Sequence, residues 1–233
     1  AQVRAVRQKP AAWSCCFFCF SALSCVSRPS RVPSAMAKVP QMSWQAYVLM
    51  TVIGMGYLFP IFAIWGAFDY WTMLFPDTNI EFISTTTYQI GATLTVALLA
   101  WRPTMDTHQR ILVGFWGQAI CLSALFSFRF LPLATDQLYY LLMGLILLVA
   151  ICTGFLDSGL LMLCSEYDTK MQSKMQLGIG LGSLMSVGFR DTSKLLLRSE
   201  PADATSCYFA LAVATVLVCV ASYHRLLGMR GSR

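Results

Sequence analysis

Residues 177–194 read LGIGLGSLMSVGFRDTSK, with three glycines on alternate positions and then an arginine and a lysine. A glycine-rich turn followed by basic residues suits phosphate binding, because backbone N–H groups can cradle the oxygens while a cation balances the charge. The dinucleotide fingerprint requires G-x-G-x-x-G between a buried strand and a helix. Gly178, Gly180 and Gly182 give G-x-G-x-G, so the third glycine comes one place early. The preceding SEYDTKMQSKMQ is too polar for a buried strand, and the chain has no G-x-x-x-x-G-K-[ST]. Phosphate chemistry fails on spacing and on context.

Within a membrane helix the same residues have a different use. Gly178, Gly182 and Ser186 recur every four residues, a small-xxx-small ridge along which two backbones can approach closely. Gly180 and Ser183 are expected to widen that face and Gly188 to extend it. The ridge serves helix packing, and it could also leave room for a solute path. Arg190 and Lys194 continue the series, but each step drifts by about 40° on a helix of 3.6 residues per turn, so they need not share the glycine face. A cation at mid-bilayer costs about 2.5–3.5 kcal/mol on insertion scales. Lys194 is near enough to a helix end to snorkel. Arg190 calls for a partner or a cavity.

Asp157 raises a related question as the one acid well inside the apolar segment near 138–163. An isolated carboxyl in lipid is a functional candidate by default, and the alternative is a protonated or interhelically bonded group used for packing. In the first apolar segment, Pro60 removes a backbone hydrogen bond, and Gly54, Gly56 and Gly66 lie nearby. Helices interrupted by Gly and Pro near the midplane point to transporter sites. Trp65, Tyr88, Gln89 and Asp157 could then supply stacking and hydrogen-bonding groups to a polar cavity. Tyr88 and Gln89 also suit an interfacial anchor.

The elements that must position these residues follow from composition. The 233 residues are 57% hydrophobic and 12% charged, with a mean hydropathy of +0.61. Soluble domains carry about a quarter charged residues, so a membrane class comes first. Six segments are expected to span, near 44–68, 82–101, 110–128, 138–163, 175–197 and 205–226. The fifth is the weakest, because Arg190, Asp191 and Lys194 interrupt it. Basic residues fill the leader, the second and fourth connections and the tail, whereas the loop after the first segment holds Asp69, Asp77 and Glu81. This alternation predicts both termini in the cytoplasm. The net charge of +6 is therefore a topology signal, and nucleic acid is not an expected partner.

Nine cysteines lack zinc-site spacing with the two histidines and read as small apolar residues. No metal, cofactor or catalytic set is expected; an intramembrane enzyme would need paired acids or a Ser–His or metal constellation that cannot be assembled. The run AAWSCCFFCFSALSC (11–25) has signal-peptide dimensions. MAKVPQ at Met36 reads as an ordinary start, so residues 1–35 are expected to be an upstream extension and 36–233 the six-span bundle.

The fifth segment resembles the fifth transmembrane helix of the equilibrative nucleoside transporters. Gly178, Gly180, Ser186, Arg190 and Lys194 match that motif in order and spacing. In IGMGYLFPIFAIWGAFDYW (53–71), Gly54, Gly56, Leu58, Pro60, Ala67, Asp69, Tyr70 and Trp71 match the family's first helix. The likeness covers roughly 44–226. It implies an all-α polytopic fold, the amino-terminal six-helix bundle of a major-facilitator-like transporter, and facilitated transport of nucleosides or nucleobases.

Many relatives carry Trp-Asn after the first-helix proline, where this chain has Ile61 and Phe62, so Trp65 would have to supply the aromatic surface. A gap-free count places Asp157 where relatives present a permeant-binding glutamine. Together, the residues and the resemblance place Leu58, Ile61, Trp65, Tyr88, Gln89, Asp157 and Arg190 on the expected permeation path. It assigns Gly54, Gly56, Pro60, Gly178, Gly180, Gly182, Ser186 and Lys194 to packing or gating. Asp157 and Arg190 should differ in depth by about 13 Å and so have separate partners. Membrane lipid, a second bundle or a second copy of the chain are the other partners implied, in the plasma membrane rather than an internal one. A non-transporting scaffold or partner subunit derived from such a transporter is the alternative.

Overall fold

A computed structural model describes residues 43–101, 105–132, 134–167, 169–197 and 201–231. The leader, Met36 and the loop charges Arg102, Arg198 and Glu200 lie outside the described residues. Every described element is helical: α1 (Trp44–Tyr57), α2 (Phe59–Gly66), α3 (Phe68–Leu74), α4 (Ile80–Trp101), α5 (Thr107–Ser127), α6 (Thr135–Ser165), α7 (Thr169–Leu196) and α8 (Pro201–Gly231), with a short 3-10 turn at Phe128–Phe130.

Among the described residues, four helical stretches are long and apolar enough to cross a membrane: Trp44–Gly66, Thr107–Ser127, Thr135–Ser165 and Ala202–Met229. The expectation of six is met in part. Helices α4 and α7 occupy the second and fifth expected positions and have 22 and 28 residues, but their composition is more polar. Helix α4 carries STTTYQ near its start, while α7 opens on TKMQSKMQ and ends on RDTSK.

The first apolar segment is built in pieces. Pro60 has no N–H to give the Gly56 carbonyl, and Leu58 leaves the helix at φ −103°, ψ 1°. The Cys219 thiol of α8 supplies a donor there, 3.1 Å from the Val52 carbonyl and beside that of Gly56. A second break at Ala67 (φ −97°, ψ 12°) turns the chain into α3. Asp69 then lies in the first turn of α3, where a helix N-terminus favours a carboxylate.

Helix α1 packs on α7 and α8, α5 on α6 and α8, and α4 on α6. The α1–α7 seam is the tightest. A side chain at Gly178 or Gly182 would run into the carbonyl oxygens of Thr51 or Met55, and one at Gly54 into that of Met175. The ridge of small residues thus meets a second backbone. Gly180 and Gly188 do not belong to it, since a Cβ at either would meet nothing within 4 Å. Gly180 lies about 200° around the helix from Gly178. Arg190, by contrast, stays on the buried stripe that runs Met175, Gly178, Gly182, Ser186, Arg190. Gly56 faces the Cys219 sulfur in the same way. Among the described cysteines, Cys121, Cys152, Cys164 and Cys219 are buried thiols and Cys207 is exposed.

Candidate functional site

Two carboxyl groups organise the polar interior. The first is Asp69, carried out of the bilayer segment by the break at Ala67. Its two oxygens accept from Arg190 Nη2 at 2.9 and 3.0 Å, and Lys194 Nζ lies 3.1 Å from Oδ2. Arg190 also donates to Thr205 Oγ1 at 3.0 Å and lies over the Tyr208 ring, 5.6 Å from its centroid. The Tyr208 hydroxyl sits 2.5 Å from Ser186 Oγ and donates to the Phe62 carbonyl at 3.4 Å. Three parts of the chain, α2–α3, α7 and α8, are tied at this end.

Burial opposes ionisation of Asp69, but hydrogen bonds and charge from Arg190 and Lys194 outweigh it and hold the carboxyl below its ordinary value. The Arg190 side chain is only 5% exposed while that of Asp69 is 50% exposed. A guanidinium in that position is neutralised where it stands. Its Nε is buried and has no partner among the described residues.

The second carboxyl, Asp157 of α6, has different company. Tyr57, the last residue of α1 before the break, donates its hydroxyl to Asp157 Oδ1. Tyr88 of α4 sits beside Asp157 and Thr153, and its ring meets Trp65 edge-on at 6.0 Å. Gln118 of α5 donates to the Tyr57 carbonyl at 3.2 Å and to Thr153 Oγ1 at 3.1 Å. Asp157 and Trp65 are half-buried. Tyr57 and Tyr88 border this carboxyl, and Gln118, Thr153 and Trp65 stand behind them; the ion pairs of the described residues lie elsewhere.

The structure therefore gathers Trp65, Tyr88 and Asp157, and it gives Asp157 and Arg190 separate partners. Other expected positions differ. Leu58 and Ile61 are buried at 7% and 1% exposure, packed beneath the helix break instead of lining an open surface. Gln89 is exposed, about 100° around α4 from the buried Tyr88. Lys194 pairs with Asp69 from a half-exposed position. Two clefts, of about 190 Å³ around Phe75 and Tyr139 and about 260 Å³ between α1, α7 and α8, do not include Asp157.

Sequence reasoning misses Tyr57, Gln118 and Thr153. Gln118 has a readable signal, as an amide in the middle of an apolar segment. Tyr57 has none beyond its place next to the Gly/Pro break. Asp69 stands in a motif and in an acidic loop, but its link to Arg190 crosses 121 residues.

No protein-family model matches the sequence. The chain is similar to Equilibrative nucleotide transporter 8 of Arabidopsis thaliana, with 24% identity over 181 residues. That stretch covers 75% of this chain and 46% of the relative, so the chain spans about half the length of the protein it matches. Fold, composition and likeness agree on a helical membrane protein distantly similar to a transporter.

Proposed function

We propose that this chain forms a six-span bundle, both termini cytoplasmic, that takes part in facilitated transport of nucleosides or nucleobases across the plasma membrane. One observation carries the reading more than any other. The two segments that carry transporter-like motifs, 53–71 and 178–194, are distant in sequence and joined in space. Glycines seat α7 on α1, and Asp69 holds Arg190 and Lys194. The distant likeness to a transporter points the same way.

The permeant class follows from the Asp157 group. Trp65 offers a ring for a base and Asp157 a hydrogen-bonding group for its polar edge, both from half-buried positions, and the buried Tyr88, Thr153 and Gln118 hold them from behind. The relative's name specifies nucleotides, yet a phosphate beside Asp157 would meet like charge or an apolar wall. An uncharged nucleoside or nucleobase fits better. No covalent step is involved; binding shifts the population of conformers. Bending at Leu58 and Ala67 would supply the motion.

A second reading is a scaffold or partner subunit that does not itself transport. Rocking of one bundle against another needs two bundles.

Uptake of labelled adenosine, uridine and hypoxanthine into transporter-deficient cells expressing the chain separates the two. Saturable uptake of at least one, competed by its unlabelled form and not by its monophosphate, supports transport. Robust surface expression with no uptake would replace it with the scaffold reading.

A further inference from the structure

Arg110 lies in the first turn of α5, near one end of a helix long and apolar enough to cross a membrane, and it is buried at 4% exposure. Its Nε donates to the Met105 carbonyl at 2.9 Å and its Nη1 to the Met162 sulfur at 3.8 Å. Neither acceptor carries a charge, and a thioether is a weak one. Asp106 and Glu166 lie towards the same end of the bundle, yet among the described residues Arg110 forms no ion pair. Arg190, equally buried, is answered by Asp69. A guanidinium withdrawn from water without an anion is costly. The contrast between the two arginines asks what supplies the charge at α5.

The surroundings point to the kind of molecule that carries it. Beyond Arg110, Val113, Trp116 and Ile120 follow at three- and four-residue spacing and are all exposed, an apolar stripe on one side of α5. Met162 of α6, which meets the guanidinium, is itself 48% exposed. Its unbranched side chain can swing aside and free Nη1 for a stronger acceptor. Lys170 of α7 and Arg225 of α8 are exposed towards the same end, which the Cys164–Met175 and His108–Tyr223 contacts bring together. We infer that Arg110 binds the phosphate of an anionic phospholipid headgroup, with an acyl chain of that lipid laid along Val113, Trp116 and Ile120. The planar guanidinium presents two parallel N–H donors to a phosphate, a contact stronger than those to a carbonyl and a sulfur. Lys170 and Arg225 draw anionic lipid to this edge without fixing its place. A carboxylate from another protein would answer the charge and leave the apolar stripe unused. The inference needs α5 and α6 in a bilayer and does not depend on transport.

The test reads lipid composition at Trp116. The full chain is placed in phosphatidylcholine nanodiscs in which a small fraction of the lipid is brominated, either phosphatidylglycerol or phosphatidylcholine. The part of the fluorescence quenching that Trp116→Phe removes is the Trp116 signal. Brominated phosphatidylglycerol should be enriched there about fivefold over brominated phosphatidylcholine, and Arg110→Gln should bring the ratio to about one. Equal quenching by the two lipids in the wild type would overturn the inference, and so would an enrichment that survives in folded Arg110→Gln. Should Arg110→Gln fail to fold, Arg110→Lys reads the same contact: without the forked donors the enrichment should fall by about half or more, and a full enrichment would overturn the assignment to Arg110. Loss of the wild-type enrichment on adding inorganic phosphate at constant ionic strength would overturn the lipid in favour of a soluble anion.

Discussion

Asp69 and Asp157 are both carboxyls attached to membrane helices, and their surroundings could hardly differ more. Asp69 is half-exposed and receives two cations, one of them almost fully buried. Asp157 is half-buried and receives a tyrosine hydroxyl. The charge at Asp69 is therefore kept because a guanidinium needs it, and its role is to hold three segments together. At Asp157 no ion pair among the described residues requires the charge. Among the described residues, a committed counter-ion is what separates the two acids.

The largest effect should come from removing the charge that Arg190 depends on. Breaking a buried ion pair costs about 3–5 kcal/mol, discounted here because water reaches Asp69. Asp69→Asn should cost about 2–3 kcal/mol, read as a clear loss of thermal stability in detergent. A variant as stable as wild type would erase the contrast between the two acids. Overpacking the seam that presents Arg190 comes next. Gly182→Ala drives a methyl onto the Met55 carbonyl and should cost about 1–3 kcal/mol. Gly180→Ala, on the open face of the same helix, should be neutral or slightly stabilising. Equal losses at both positions would mean that helix propensity, not packing, governs α7.

Acid sharpens the comparison further. Because the folded Asp69 carboxyl lies below its ordinary value of 3.8, its contribution is complete above that value and is lost as pH falls through the depressed one. Thermal stability should thus stay flat on this account from neutral pH to about 5, then fall more steeply below about pH 4 in wild type than in Asp69→Asn. Parallel curves would contradict the latch. Lys194→Gln should have the smallest effect, about 0.5 kcal/mol or less and reduced by salt, because the pair is exposed on both sides.

Much of this arrangement is legible in the amino-acid sequence, and the reasons vary by element. The four-residue spacing of Gly178, Gly182 and Ser186 foretells a close backbone contact, because period alone places residues on one face. Gly180 misleads, since two residues along a helix carry a side chain to the opposite side. The cost of Arg190 in a membrane announces a partner without naming it. Asp69 is 121 residues away, and only folding through two helix breaks brings it there. Tyr57 and Gln118 are invisible as a pair for the same reason. The polar helices α4 and α7 show the limit of hydropathy. Helix α4 turns Ser84, Tyr88 and Thr95 inward, while α7 carries most of its polar residues exposed near its two ends; both fall short on composition while still having the length.

The most direct test of the central claim is uptake per surface molecule for wild type, Asp157→Asn and Asp69→Asn, with folded protein measured in parallel. Asp157→Asn should reach the surface in near-normal amount and lose most of its uptake. Asp69→Asn should reach the surface poorly, with uptake per folded molecule falling far less. The reverse pattern, a silent Asp157→Asn beside a well-folded but inactive Asp69→Asn, would contradict the account.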